Sequence, residues 1–168
     1  MNQTPWLKEK LVKPEQLEVH VQKIRGQGRT IATLNGSFDL LHAGHLYMIH
    51  QAKLQADVLI VGLNSDASIR AYKSKDRPII SLEYRLEMMA ALSFVDFVTW
   101  FEEVTPCHLL EKIRPDVHVN GEEYGSDCVE AEAVRACGGR LHLVKRIPSL
   151  STSSIIEKIC LLERAKCG

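Results

Sequence analysis

His42 and His45 stand three residues apart in the stretch 31–52, beside Gly36, Ser37, Asp39 and Gly44. The chemistry open to such a set is anion binding. Two imidazoles at this spacing on a helix start face the same space. Gly36 and Gly44 carry no Cβ, so backbone and ligand can approach closely there. Residues 31–34 form a short apolar run with β-branched side chains, closed by Asn35-Gly36, and predict a buried strand. From Gly44 onward, Leu46, Ile49, His50 and Lys53 recur at helical spacing and predict a helix to about residue 55. A strand that turns into a helix aims the N–H groups of the first helical turn at the turn itself, and these favour phosphate. The expectation is a phosphate site under two cationic or hydrogen-bonding rings. A zinc site is the rival reading of the histidines, but no third ligand stands in register.

The rest of the chain supplies the frame. Residues 57–63, 94–100, 116–119 and 141–144 predict four further strands, and 57–63 is apolar enough for a parallel strand covered on both faces. Helices are expected from Pro14 to Gly26, after the Asn64-Ser65-Asp66 cap, from Ser81, from Thr105-Pro106, over 128–137 and over 151–165. Residues 72–78 are charged and aperiodic and predict a loop, and 1–13 an N-terminal arm, loosely packed or set against a partner. Strands alternating with helices predict an α/β, Rossmann-like, doubly wound sheet of about five parallel strands in a single domain, 1–168. Ligands of such sheets bind at the carboxyl ends of the strands, near the switch point. The turn after strand one, Asn64 to Asp66, Asn120 to Tyr124 and Arg146 to Thr152 all fall at that edge.

Composition narrows the function. The 21 basic and 21 acidic residues cancel, so no global field draws nucleic acid or an anionic membrane. No apolar run approaches the ~20 residues that span a bilayer, and 1–13 has no signal-peptide core. Five cysteines without C-x-x-C pairing fit free thiols in a reducing cytoplasm.

Gly36-Ser37-Phe38-Asp39 followed by His42-Ala43-Gly44-His45 resembles the signature of the cytidylyltransferase-like nucleotidyltransferases of H-x-G-H type. The likeness continues through residues 61–68, Asp76-Arg77-Pro78, Glu83-x-Arg85, residues 91–96, Thr105-Pro106, Arg114-Pro115-Asp116 and Ser151-Thr152. Over roughly 7–160 the chain is similar to the adenylyltransferases that make ADP-heptose from D-glycero-β-D-manno-heptose 1-phosphate, in their stand-alone form. It departs at Asn120-Gly121-Glu122-Glu123-Tyr124, where that family commonly has Lys-Gly-Gly-Asp-Tyr, and at Arg146. An Arg there resembles the glycerol-3-phosphate cytidylyltransferases.

The resemblance implies transfer of AMP from ATP with Mg2+, for lipopolysaccharide synthesis in the cytoplasm, by a homodimer. The alternative is a cytidylyltransferase using CTP and glycerol 3-phosphate or a related polyol phosphate. A non-catalytic nucleotide-binding module is the reading from another class. The implied catalytic residues are His42, His45 and Arg85. The nucleotide is expected on Gly36, Ser37, Phe38, Asp39, Gly44, Gly121, Glu123, Arg146, Ser151, Thr152 and Ser153. The sugar phosphate is expected near Asn64, Asp66, Lys73, Lys75 and Arg77. Several of these have an equally good structural reading: Asp39 as the brace of its turn, Asp66 as a helix cap or a magnesium ligand, Ser151 as an N-cap. Lys73, Lys75 and Arg77 form either a closing cationic loop or a solvated charge run.

Overall fold

The computed structural model describes residues 4–145 and 151–166. Five strands, β1 (Ile31–Gly36), β2 (Val58–Asn64), β3 (Phe97–Phe101), β4 (Val117–Gly121) and β5 (Arg140–Val144), form one sheet in the order β3-β2-β1-β4-β5. Every pairing is parallel. The chain moves from β1 outward to β3, then crosses to β4 on the other side of β1. The switch point therefore lies between the carboxyl ends of β1 and β4, where a crevice opens.

The helices are α1 (Pro5–Lys10), α2 (Leu17–Gly26), α3 (Ala43–Lys53), α4 (Asp66–Tyr72), α5 (Leu82–Ala91), α6 (Cys107–Ile113), α7 (Val129–Ala136) and α8 (Thr152–Lys166). They cover both faces of the sheet. Leu7, Ile49, Ala52, Leu86 and Met89 from α1, α3 and α5 pack on Leu34, Leu59, Val61 and Val98. Leu17, Val21 and Ile24 of α2 pack with Leu109 and Ile113 of α6 on Ile31, Val58 and Ile60. All seven residues of β2 are buried, which is why that strand reads as an unbroken apolar run.

Three expectations are corrected. The segment 1–13 is no loose arm in its described part: residues 5–10 are helical, Leu7 is buried, and the Val12 N–H donates to Val98 O at 2.9 Å. That contact covers the exposed edge of β3. The third strand begins at Phe97 instead of residue 94, because the Asp96 carboxylate accepts the Leu59 N–H at 2.7 Å and the Lys53 ammonium at 2.6 Å. Ser81 makes no side-chain cap for α5; Asp66 does so across the sheet edge, accepting the Leu82 N–H at 2.9 Å.

Candidate active site

A cleft of about 490 Å³ opens at the switch point. Its floor is the end of β1, Leu34 to Phe38. One wall is the start of α3 with His42, Gly44 and His45. The other walls are Asn64, Tyr72 and Lys73 beyond β2, Asn120, Gly121, Glu123 and Glu130 beyond β4, and Ser151, Thr152 and Ser153 at the start of α8. This volume suits one small ligand set of nucleotide size.

His42 is the N-cap of α3 and its Nδ1 accepts the His45 N–H at 3.4 Å. A bond accepted at Nδ1 places the proton of the neutral ring on Nε2. The two rings stack, with centroids 3.8 Å apart and planes 21° from parallel. The His45 ring also meets Phe38 edge-on at 5.3 Å. The cap and the stack fix both imidazoles at the positive end of the helix.

The turn beneath them is held from below. Phe38 has φ 46°, a left-handed conformation that costs a side-chain-bearing residue about 1–2 kcal/mol. A Cβ on Gly36 would lie 3.2 Å from the Phe38 ring, so glycine allows that ring to fold back under the turn. Asp39 is fully buried; its Oδ1 accepts the Ile79 and Ile80 N–H groups at 2.8 Å each, and its Oδ2 accepts Arg77 Nε at 2.6 Å. Burial alone would push the Asp39 carboxyl up, but the Ile80 and Ile79 amides and Arg77 outweigh it and hold it below the usual range. Arg85, also without exposed side chain, donates Nη1 to Ser37 O at 2.7 Å, Nε to Ile80 O at 2.9 Å and Nη2 to Asp66 Oδ1 at 2.7 Å. Lys73 reaches the same turn from the solvent side, donating Nζ to Ser37 Oγ at 2.9 Å. Desolvation, then Arg77, lower the Lys73 pKa.

At the far wall, Ser151 and Ser154 cap α8 reciprocally: the Ser154 N–H donates to Ser151 Oγ and the Ser151 N–H to Ser154 Oγ, both at 3.1 Å. The neighbouring Thr152 and Ser153 line the cleft. Gly121 stands where a Cβ would collide with the Glu123 carboxylate, so the glycine lets that side chain fold over the strand end.

Of the residues expected at a site, Gly36, Ser37, Phe38, His42, Gly44, His45, Asn64, Lys73, Gly121, Glu123, Ser151, Thr152 and Ser153 line one cleft. Asp39, Asp66, Arg77 and Arg85 stand behind it as braces, and Lys75 is exposed outside it. Arg146 lies outside the described residues. Glu130, Tyr72 and Met48 line the cleft without having been singled out in the sequence, and Thr105, read there as a helix start and part of the likeness, lines it too. Thr105 had a signal, its place beyond a strand end; Glu130 sits among other glutamates on a short helix and had none. Among the described residues, no group of three or more His, Cys, Asp or Glu is arranged to hold a metal ion.

A family model described as cytidylyltransferase-like matches residues 33–159. The chain is 44% identical over 146 residues to the bifunctional protein HldE of Pseudomonas aeruginosa, which covers 86% of this chain and 31% of that protein. It is 46% identical over 136 residues to HldE of Geobacter sulfurreducens, 80% of this chain and 28% of that one. The chain thus spans about a third of the length of these relatives. Among solved structures, a lipopolysaccharide core biosynthesis protein from Thermoplasma volcanium superposes with a TM-score of 0.58 at 25% identity, covering 71% of this chain and 98% of that one. A pantoate-beta-alanine ligase from Francisella tularensis shares the fold, with a TM-score of 0.61 at 17% identity over 84% of this chain and 70% of that one.

Proposed function

The chain belongs to the cytidylyltransferase-like family, and from that premise we propose that it transfers AMP from ATP to D-glycero-β-D-manno-heptose 1-phosphate, giving ADP-heptose and pyrophosphate. The observation that carries the reaction type is the stacked His42–His45 pair at the start of α3, inside a cleft at the switch point. The choice of donor and acceptor is supported by the 43–46% identity with HldE proteins.

In this reading a phosphate oxygen of the sugar phosphate attacks the α-phosphorus. The bond from that phosphorus to the bridging oxygen breaks, and pyrophosphate leaves with the electron pair. The nucleophile is already an anion, so no protein base is required. Catalysis is positioning and charge stabilisation. His42, His45 and the first N–H groups of α3 take the charge that develops on the α-phosphate. Thr152, Ser153 and the positive end of α8 receive the leaving phosphates. Lys73 meets the acceptor phosphate, and Asp39, Asp66, Arg77 and Arg85 position the turn without touching the ligand.

Mg2+ is part of the proposal. Magnesium keeps several waters and is commonly held by substrate phosphates with one or two carboxylates. Glu123, exposed in the cleft lining, would supply such a carboxylate, and the described residues contain no preformed cage. Asp66 is a poor ligand, since its Oδ1 serves Leu82 and Arg85. When bound, the ion would neutralise charge on the triphosphate.

We further read the chain as one nucleotidyltransferase domain acting in the cytoplasm as a homodimer. No helix among the described residues is long and apolar enough to cross a membrane. The α8 helix buries none of its residues and leaves Ile159, Leu161 and Leu162 exposed, a face a second copy can cover. The test of the function is pyrophosphate release from ATP and from CTP, each with heptose 1-phosphate and with glycerol 3-phosphate. Release with ATP and heptose 1-phosphate is expected; release only with CTP and glycerol 3-phosphate would replace this reading.

A further inference from the structure

Charge is not spread evenly around the cleft. On the β2 side stands Lys73, with Arg77 behind it. On the β4 side the lining carries Glu123 and Glu130, and no lysine or arginine among the described residues. Glu123 is exposed and can swing away, whereas Glu130 is 8% exposed. The contacts of Glu130 among the described residues are polar and uncharged. Asn120 Nδ2 donates to its Oε2 at 3.5 Å, the outer limit of a hydrogen bond. The Cys128 thiol is its other neighbour, held above the usual thiol range by burial and by this carboxylate. Among the described residues Glu130 makes no ion pair.

A carboxylate offers about four acceptor positions and no donor. Buried with no cation against it among the described residues, Glu130 needs donors from whatever fills the cleft. It also repels phosphate. The triphosphate and the acceptor phosphate are thereby directed away from Glu130, to Lys73, the histidines and the start of α8. The β4 end is left for the part of the substrate that is uncharged and rich in N–H and O–H groups.

We propose that Glu130 is a specificity-determining residue for the nucleoside half of the triphosphate, its carboxylate accepting a hydrogen bond from the amino group of the base or from a ribose hydroxyl. This rests on the nucleotidyltransferase reading above and adds to it the group that selects the nucleotide.

The test compares the wild type with Glu130→Gln and Glu130→Ala. For each, kcat/KM for pyrophosphate release is measured with heptose 1-phosphate and Mg2+, and nucleotide Kd by calorimetry. The nucleotides are ATP, inosine triphosphate, 2′-deoxy-ATP and 3′-deoxy-ATP. Inosine triphosphate replaces the amino donor by an oxo acceptor, and the deoxy compounds each remove a hydroxyl. A wild type that uses CTP gives the same contrast with CTP against UTP.

The wild type is expected to prefer the nucleotide bearing the donor by roughly ten- to hundredfold, the range for a hydrogen bond to a charged group. Glu130→Ala should bring that ratio near one, through nucleotide KM and Kd, leaving the acceptor KM in place. Glu130→Gln keeps the shape and adds an N–H donor, so in the base arm it should shift preference toward the oxo nucleotide. It also carries the test where the alanine variant does not fold. Unchanged ratios in every arm, or a shift in acceptor KM alone, would overturn the proposal while leaving the enzyme reading intact. A wild type that neither binds nor turns over a nucleotide overturns both.

Discussion

Arg85 Nη1 lies 2.7 Å from the main-chain oxygen of Ser37, although α5 and the turn after β1 are far apart in sequence. The same guanidinium ties Ile80 and Asp66 to that turn. The resemblance implied a phosphate contact; the guanidinium's contacts here are all to protein groups, and we propose a positioning role. Replacing it by Ala leaves Asp66 without its charge partner and the Ser37 and Ile80 oxygens without donors, a loss of about 2–3 kcal/mol for a half-buried, charge-assisted set of bonds. Lysine supplies a point charge in place of a planar fork and restores little. Both variants should lower the melting temperature and kcat together. A variant with unchanged melting temperature and a large rise in nucleotide Kd would show direct phosphate binding instead.

The Asp39 carboxylate is the second brace. Its pKa is depressed in the fold, so its contribution to stability is present above the ordinary carboxylate pKa and is lost as pH falls through the lower folded value. Asp39→Asn keeps the size but gives up the charge-assisted bonds to Arg77, Ile79 and Ile80. The expected cost is about 2–3 kcal/mol, read by urea denaturation at neutral pH. Faster proteolysis within residues 73–80 should accompany it.

His118 sets an acid limit on the fold. It is fully buried in β4, its Nδ1 lies 2.8 Å from Thr33 Oγ1 on β1, and burial pushes its pKa down from 6.5 to about 4. The unfolded chain then binds a proton that the folded chain refuses between these values. Stability is full above about pH 6.5 and falls as pH drops toward 4, by about 3 kcal/mol. The urea midpoint of His118→Gln should slope less over that window than that of the wild type. Equal slopes would show that His118 does not set that limit.

The sheet and the histidine turn were legible because each is written locally. Apolar runs such as 58–64 mark buried strands, and glycine and histidine spacing marks a strand-to-helix anion site. What was hidden depends on contacts across the chain. Asp66 was expected to cap or to bind a ligand near its own helix; it caps α5, sixteen residues on. Asp39, Arg77 and Arg85 carry ordinary binding-site chemistry, and only the fold shows their groups turned on one another. The seat of the N-terminal segment was hidden too, because the β3 edge that Val12 meets lies 86 residues further on.

Gly121 separates fold from site. An alanine there would press on the Glu123 carboxylate, the far end of a flexible side chain and not the backbone. Gly121→Ala should therefore leave the melting temperature within a few degrees and move Glu123 out over the cleft. A several-fold rise in nucleotide KM with little change in kcat is the expected result. A collapse in stability would show that the strand end itself cannot take a side chain.

In the proposed reaction the His42–His45 pair carries the transfer chemistry. The direct measurement is pyrophosphate release from ATP with heptose 1-phosphate and Mg2+, wild type against His45→Ala, with melting temperatures recorded for both. Loss of one such donor is worth roughly a hundred- to thousandfold in kcat. That loss is expected with a native-like melting temperature. A folded variant that keeps kcat within about threefold would contradict it.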